Sequence, residues 1–316
     1  MSDSSEMFSL SINELQKRWL EIGPFNKILP TFFAEVVETN HILFEEVAIV
    51  VAITLAFTIH RYFLTTLFLK PISKFLDFNA KNELKFCESC CKLLYYTCFF
   101  VWEYYTVNIL YPELRYSTKA HWEGWHKDMD IPNPIKYLYF LEAGFYFHSI
   151  FATIFMDVWK KDSIAMIIHH ILANTLIIFS MSTRYHCIGL IVMYLHDPAD
   201  IALEGSKLVI CFNSKKQSNV LEIISSIGFL IFTWAWFYFR LWVFPQLVLF
   251  SSLYTGFVGT TRPFYFPFNI MLFMLFILNV YWFHFIVALI MRIALGKSNC
   301  VDDVREYEDG SLKKKN

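Results

Sequence analysis

Charge is scarce in this sequence: Asp, Glu, Lys and Arg make up 17% of its 316 residues, against about 25% in soluble domains. A basic excess is missing as well. The 27 Lys and Arg face 28 Asp and Glu, a net charge of −1, so no nucleic-acid partner is expected. Met1–Thr39 is polar, with Lys17, Arg18 and Lys27 spread through it, and lacks the apolar core of a cleavable signal peptide. No Asn-x-Ser/Thr glycosylation acceptor occurs. Cysteine forms one tight cluster, Cys87, Cys90 and Cys91, with no second cluster to complete a tetrahedral metal site. These thiols are therefore expected to be reduced, and no metal is expected. The His-x-x-His-His arrays of membrane diiron hydroxylases are also missing.

Apolar residues are abundant instead, at 56%, with 19% aromatic. That content excludes disorder and points to a membrane protein. Runs of about 20 apolar residues are long enough to span a bilayer. Seven are expected: Val47–Leu69, Lys92–Leu110, Ile135–Val158, Asp162–Met181, Cys187–Leu208, Val220–Leu249 and Phe268–Leu295. Lys70-Pro71 ends the first, and Pro245 kinks or splits the sixth. The fold class is thus all-α and polytopic, with about seven transmembrane helices.

Lysine in short loops sets the orientation. Lys70, Lys74, Lys81, Lys85, Lys160, Lys161, Lys215 and Lys216 fall on one side, expected to be cytosolic, together with the tail. The N-terminus is then luminal. The chain ends Lys313-Lys314-Lys315-Asn316. Lys313 and Lys314, third and fourth from a cytosolic end, read as a dilysine retrieval address for the endoplasmic reticulum. The organisation expected is a luminal segment over 1–46, a first helix over 47–69 and a cytosolic linker over 70–84. A helical domain over 85–295 and a cytosolic tail over 296–316 follow.

Ionisable residues at membrane depth are costly and mark function. The spans contain Glu142, His148, His169, His170, His196, Asp197, Asp200, Glu204, Arg240 and His284. His170 lies nine residues from Lys161, and Asp200 eight from Leu208. Both are therefore about 12–14 Å deep from the same face. A short luminal turn around Arg184 makes the fourth and fifth spans antiparallel neighbours. His196, Asp200 and Glu204 share one stripe, at i, i+4 and i+8. Two histidines and two carboxylates are expected to converge at one level. Asp197-Pro198 reads either as an N-cap with Pro at the first helical position or as a break in a longer kinked helix. The neutral imidazole of such a group serves as base, nucleophile or metal ligand, and a carboxylate beside it orients it. Zinc held by His169, His170, His196 and an Asp is the metal alternative.

Over His169–Lys207 the sequence resembles the ceramide synthases of the TLC-domain, or longevity-assurance, family. His169-His170, Ser180, Gly189, His196-Asp197, Asp200, Leu203-Glu204 and Lys207 fall in the register of the family motif. Lys161-Asp162 and Met166 match its approach. Trp122-x-Gly-Trp125 and Arg240 with Pro245 match its flanks, and the likeness covers roughly residues 85–295. Met181, Arg184 and Cys187 depart from it toward the luminal turn, and Pro198 is unusual beside Asp197.

The resemblance implies six helices around an intramembrane cavity and N-acylation of a sphingoid base by fatty acyl-CoA. It implies no resident cofactor, acyl-CoA being a co-substrate. His169, His170, His196, Asp197 and Asp200 are then the catalytic set. Lys161, Glu204, Lys207, Lys215, Lys216, Arg240 and His148 are the substrate-binding candidates. The partners are acyl-CoA, a sphingoid base and membrane lipids. A homo- or hetero-oligomer and a small accessory membrane subunit stay open. Two other classes also stay open: a non-catalytic TLC-domain lipid-handling or translocation-associated protein, and a seven-span zinc lipid hydrolase.

Overall fold

The computed structural model describes residues 42–213, 218–255 and 264–295. It contains seven long helices and no strand among the described residues. Helix α1 is Phe44–Phe75. Helix α2 is Ala80–Tyr105, continued by π-helical Thr106–Leu110. Helices α3, α4 and α5 are Asn133–Phe155, Ser163–Ser182 and His186–Phe212. Helix α6 is Asn219–Ala235, prolonged by the π-helical stretches Trp236–Val243, Pro245–Leu249 and Ser251–Thr255, and α7 is Tyr265–Ala294.

Five of these, α1, α3, α4, α6 and α7, are long and apolar enough to cross a membrane. Helices α2 and α5 are of similar length, 26 and 27 residues before extension, but carry more polar groups. The N-terminal segment before Ile42, the tail with Lys313 and Lys314, and the loop with Lys215 and Lys216 lie outside the described residues.

Pro71, expected to end the first span, does not, and Pro245, expected to kink or split the sixth, leaves it one helix. The Lys70 N–H donates to the Thr65 carbonyl, five residues back, and Pro71 follows directly. The widened turn carries the helix through a residue that has no N–H. The expected linker over 70–84 is accordingly helical except around Leu76–Asn79, where Asp77 takes a left-handed φ of 54°. Asn79 then caps α2 by accepting from the Asn82 N–H at 2.8 Å. Likewise α6 passes Pro245 as one helix, with the Phe244 N–H on the Phe239 carbonyl. Helix α5 starts at His186, not at Asp197, so Pro198 is an interior proline.

The neighbours close a ring. Helix α3 packs on α4, α4 on α7, α7 on α6, α6 on α5, α5 on α2, and α2 on α3, while α1 lies along the outside of α3. Helices α4 and α5 share a tight turn at Thr183–Tyr185 but are flanked along their lengths by other helices. Arg184 takes a φ of 63° there, and the Tyr185 N–H closes the turn on the Ser180 carbonyl at 2.7 Å. The expectation that α4 and α5 run side by side is thus corrected: their inner faces oppose each other across the ring.

The largest buried apolar cluster fills the ring at the Arg184 end. It includes Tyr139, Tyr185, Ile188, Leu190, Phe244 and Phe268. A segment before α3 folds over this end. The Trp122 indole donates to the Ser251 carbonyl at 3.0 Å and the Trp125 indole to the Thr183 carbonyl at 3.2 Å. His121 is held between the Leu114 carbonyl and the Ser251 hydroxyl, and its burial pushes its pKa down. One end of the ring is therefore plugged, and the cavity lies toward the other, where Lys160 sits.

Close helix crossings use missing side chains, as membrane bundles do. A Cβ on Gly144 would run into the Ile53 side chain of α1. A Cβ on Gly189 would run into the Tyr139 hydroxyl, which donates to the His186 carbonyl at 3.0 Å and meets Ser180 at 3.1 Å. Gly189→Ala is therefore expected to destabilise by about 1–3 kcal/mol, the usual cost of overpacking. Tyr139→Phe in the same chain removes the clashing oxygen and recovers part of the loss. Thermal unfolding in detergent checks this, and an unchanged midpoint for Gly189→Ala refutes the crossing geometry.

Candidate active site

One polar cavity opens inside the ring toward the Lys160 end. It is lined by His148, His169, His170, Asp200, Glu204, Lys207 and Arg240, together with Arg61, Glu88, Lys92, Asp157, Lys160, Tyr146 and Trp282. The His pair on α4 and the acidic stripe of α5 thus share a cavity, as their matched depths predict, from opposite walls.

Each imidazole has its own surroundings. The His169 ring stands edge-on to Trp282, centroids 5.2 Å apart, and 5.6 Å from the His170 ring. The Tyr146 ring lies 5.7 Å from that of His170. The Nδ1 atoms of both His169 and His170 are buried without a hydrogen-bond partner. His196 is fully engaged. Its Nδ1 meets the Val192 carbonyl at 2.7 Å, so that nitrogen carries the proton, and its Nε2 meets the Asn279 amide nitrogen at 3.1 Å. Its ring packs edge-on against Phe244. These bonds hold the His196 ring in the wall of a cavity beside the His pair.

The two aspartates of α5, Asp197 and Asp200, have different partners. Asp200 faces the cavity and pairs with Arg240 of α6 at 2.6 Å. Arg240 also donates to the His196 carbonyl at 2.7 Å and lies 4.0 Å over the Trp236 ring. Asp197 does not line the cavity. It is buried, with oxygens of Glu103 and Glu142 within 4.8 Å. Of the two aspartates expected to converge with the His pair, only Asp200 lines its cavity. Three apart, they share a helix face to within about 60°, and their partners on neighbouring helices differ: Arg240 of α6 holds Asp200, while Asp197 sits beside Glu103 of α2 and Glu142 of α3.

At the mouth, Glu204 pairs with Lys207 at 2.7 Å. Lys92 bridges Glu88 at 2.7 Å and Asp157 at 2.9 Å, and Arg61 pairs with Asp157. Lys160, not the exposed Lys161, lines the cavity. His148 meets the Thr58 hydroxyl through Nδ1 at 2.9 Å, leaving Nε2 unpartnered. Trp282 of α7 donates to Asp162 at the start of α4 at 3.0 Å.

Sequence reasoning passed over Arg61, Lys92 and Glu103, all within expected spans. The signal was present. Glu88 and Lys92 are four apart on a helix, and Arg61 and Glu103 are charges in apolar runs. The zinc arrangement is not formed. Among the described residues, the only side-chain group with ligand atoms within 4.8 Å of one another is Glu103, Glu142 and Asp197.

A second, apolar slot leads from the same place toward the plugged end. It is lined by His169, Tyr146, Leu176, Val192, His196 and Leu272, among others. His169 and Tyr146 belong to both walls. The polar cavity and the apolar slot therefore meet at His169.

Comparison with known proteins agrees with this architecture. Residues 85–288 match the model of the TLC domain. Human ceramide synthase 1 is 34% identical over 277 residues, covering 86% of this chain and 78% of that protein. Mouse ceramide synthase 4 is 35% identical over 225 residues, 70% of this chain and 53% of its own. Ceramide synthase LOH2 of Arabidopsis thaliana is 28% identical over 227 residues, 69% and 72% of the two chains. Six ringed helices, an opposed His pair and Asp, and this likeness along most of the sequence place the chain in the TLC-domain family, among the ceramide synthases.

Proposed function

We propose that the protein transfers a fatty acyl group from acyl-CoA to the amine of a sphingoid base, giving a ceramide and CoA. The observation that carries this reading is the place of His169, where the polar cavity meets the apolar slot. A fatty acyl thioester is itself such a junction. In polarity its acyl chain matches the slot and its CoA portion matches the polar cavity, and the reacting carbonyl falls where the two meet. Lys160, Lys207 and Lys92 at the mouth are the cations for the CoA phosphates.

His169 attacks the thioester carbonyl. The carbon–sulfur bond breaks, and the thiolate leaves and takes a proton as CoA. The free amine of the base then attacks the acyl-imidazole, the amide bond forms, and the imidazole is released. His170 and Asp200 share the cavity. Asp200, tied to Arg240, supplies fixed negative charge opposite the imidazolium. Water reaches an acyl-imidazole poorly in a cavity plugged at one end. The second route has His169 or His170 act only as base toward the amine.

The location follows from the same chemistry. CoA is polar and cytosolic, so the Lys160 end faces the cytosol. The Arg184 turn then faces the lumen of the endoplasmic reticulum, with the C-terminus cytosolic. Lys313→Ser with Lys314→Ser is expected to release the protein from the endoplasmic reticulum, read by immunofluorescence. A C-terminal tag is expected to be cleaved by protease in intact microsomes, and a tag at Ser2 protected. Both tags on one face overturn this topology.

His169→Ala and His170→Ala are each expected to lower microsomal N-acylation by about 10²-fold or more. The unfolding midpoint should fall only by the cost of the lost ring contacts with Trp282 and Tyr146, because the deleted Nδ1 atoms have no hydrogen-bond partner. Asp200→Ala is expected to lower activity and stability together, by about 3–5 kcal/mol, since it strands a buried guanidinium. Arg184→Ala is the neutral control. Incubation with acyl-CoA alone is expected to add one acyl mass to the intact protein, mapped to His169 and discharged by sphingoid base. Release of CoA that strictly requires the amine, with no adduct, would falsify the covalent route.

A further inference from the structure

Three carboxylates meet at a seam of the ring and take no part in the chemistry above. Glu103 of α2, Glu142 of α3 and Asp197 of α5 each offer an oxygen, all within 4.8 Å of one another. Each comes from a different helix, and α2 with α3 is the least extensive contact of the ring. Glu103 is 0% exposed, and neither of its oxygens has a hydrogen-bond partner. Glu142 Oε1 and Asp197 Oδ2 are buried without a partner too. Arg240 is committed to Asp200 and the His196 carbonyl. Buried carboxylates in such a group need a counter-cation or protons. None of the three lines the polar cavity or the apolar slot.

We propose that Glu103, Glu142 and Asp197 form a binding site for a divalent, oxygen-preferring cation of the Ca²⁺ type, which clamps α2, α3 and α5 together. Carboxylate oxygens select hard cations over zinc or copper. Three carboxylates offer up to six oxygens, within the six to eight that Ca²⁺ takes in irregular geometry. Mg²⁺ retains several waters and demands a near-ideal octahedron, which suits a closed seam less well. The cation offsets two of the three negative charges and joins the ring where its helices touch least.

The test uses the full-length protein purified in detergent, with metal content and stability as readouts independent of acyl transfer. Elemental analysis is expected to find about one divalent ion per chain. Purification with chelator throughout should lower the unfolding midpoint by about 5 °C or more. Adding Ca²⁺ back should restore it, with Mg²⁺, Mn²⁺ and Zn²⁺ as the comparison arms. Glu103→Gln and Glu142→Gln should each lose the ion and the response to chelator. A metal-free protein whose midpoint ignores chelator and Ca²⁺ overturns the proposal, and glutamine variants as stable as the parent then identify three carboxyls sharing protons. Restoration by Zn²⁺ alone overturns the assignment to a hard cation. If the variants fail to fold, the metal content and chelator response of the parent protein still decide.

Discussion

Arg240 sets the terms for the rest of the ring. One guanidinium, 3% exposed, donates to the carboxylate of Asp200 and to the carbonyl of His196, while its face rests on Trp236. A charge at that depth is tolerable only when paired and hydrogen-bonded. The pairing fixes the rotation of α6 against α5. That rotation in turn directs Asp200 into the cavity and seats His196 beside Asn279 and Phe244. Removing the cation would strand an acid in the cavity wall, and removing the acid would strand the cation. The bond gives specificity of register more than net stability, because desolvating both partners offsets much of their attraction.

The same rule is met differently at the mouth. Arg61, Lys92, Glu88 and Asp157 form a linked network joining α1 and α2 to the loop after α3. Lys92 is 25% exposed there and Asp200 is 23% exposed, so water contributes at these points. Networked charges with some solvent are less costly than isolated ones, and they leave cations where a polyphosphate can compete for them. At the plugged end Lys136 pairs with Glu46, and the space between the helices is closed by hydroxyl, indole and carbonyl pairs such as Tyr139 with the His186 carbonyl and Trp122 with Ser251. Neutral pairs seal one end while the charged network keeps the other accessible.

Much of this was legible in the sequence. Five of the helices follow from apolar runs long enough to cross a membrane, and α2 and α5 are of similar length with more polar groups. The shared depth of His170 and Asp200 follows from their distances to the loop lysines, and both line one cavity. What failed was the lateral arrangement. Antiparallel helices with a three-residue turn are normally neighbours, yet α4 and α5 separate because α3 and α7 pack along one and α2 and α6 along the other. Depth is a one-dimensional property that residue counting recovers; the order of helices around a ring depends on all the pairings at once. Asp197 shows the consequence. Its place in the His-Asp-x-x-Asp pattern assigned it to the histidines, whereas the packing of α2 and α3 against α5 sets it beside Glu103 and Glu142. Pro71 failed as a stop for a local reason, since a π-turn supplies the register in which a missing N–H costs no bond, and the same device keeps the sixth span one helix through Pro245.

The meeting of two environments at His169 explains why its identity could be read while its partner could not. A residue that must touch both a polar cavity and an apolar slot has to sit where two linings share a wall, and α4 offers that point one turn from Ala173 and two from Leu176. Imidazole suits it, being apolar enough in its neutral form to rest against Trp282 and nucleophilic without first losing a proton. A lysine there would be charged and drawn to the acids of α5; a serine would need a separate base. The carboxylate that balances the imidazole has no need to touch it. In a cavity of low dielectric, charge acts across several ångströms, so Asp200 on the opposite wall serves from a distance, held in place by Arg240. The catalytic demand is therefore for an opposed acid at matching depth, a weaker geometric condition than a triad. It is the condition that the spacing of the sequence encodes.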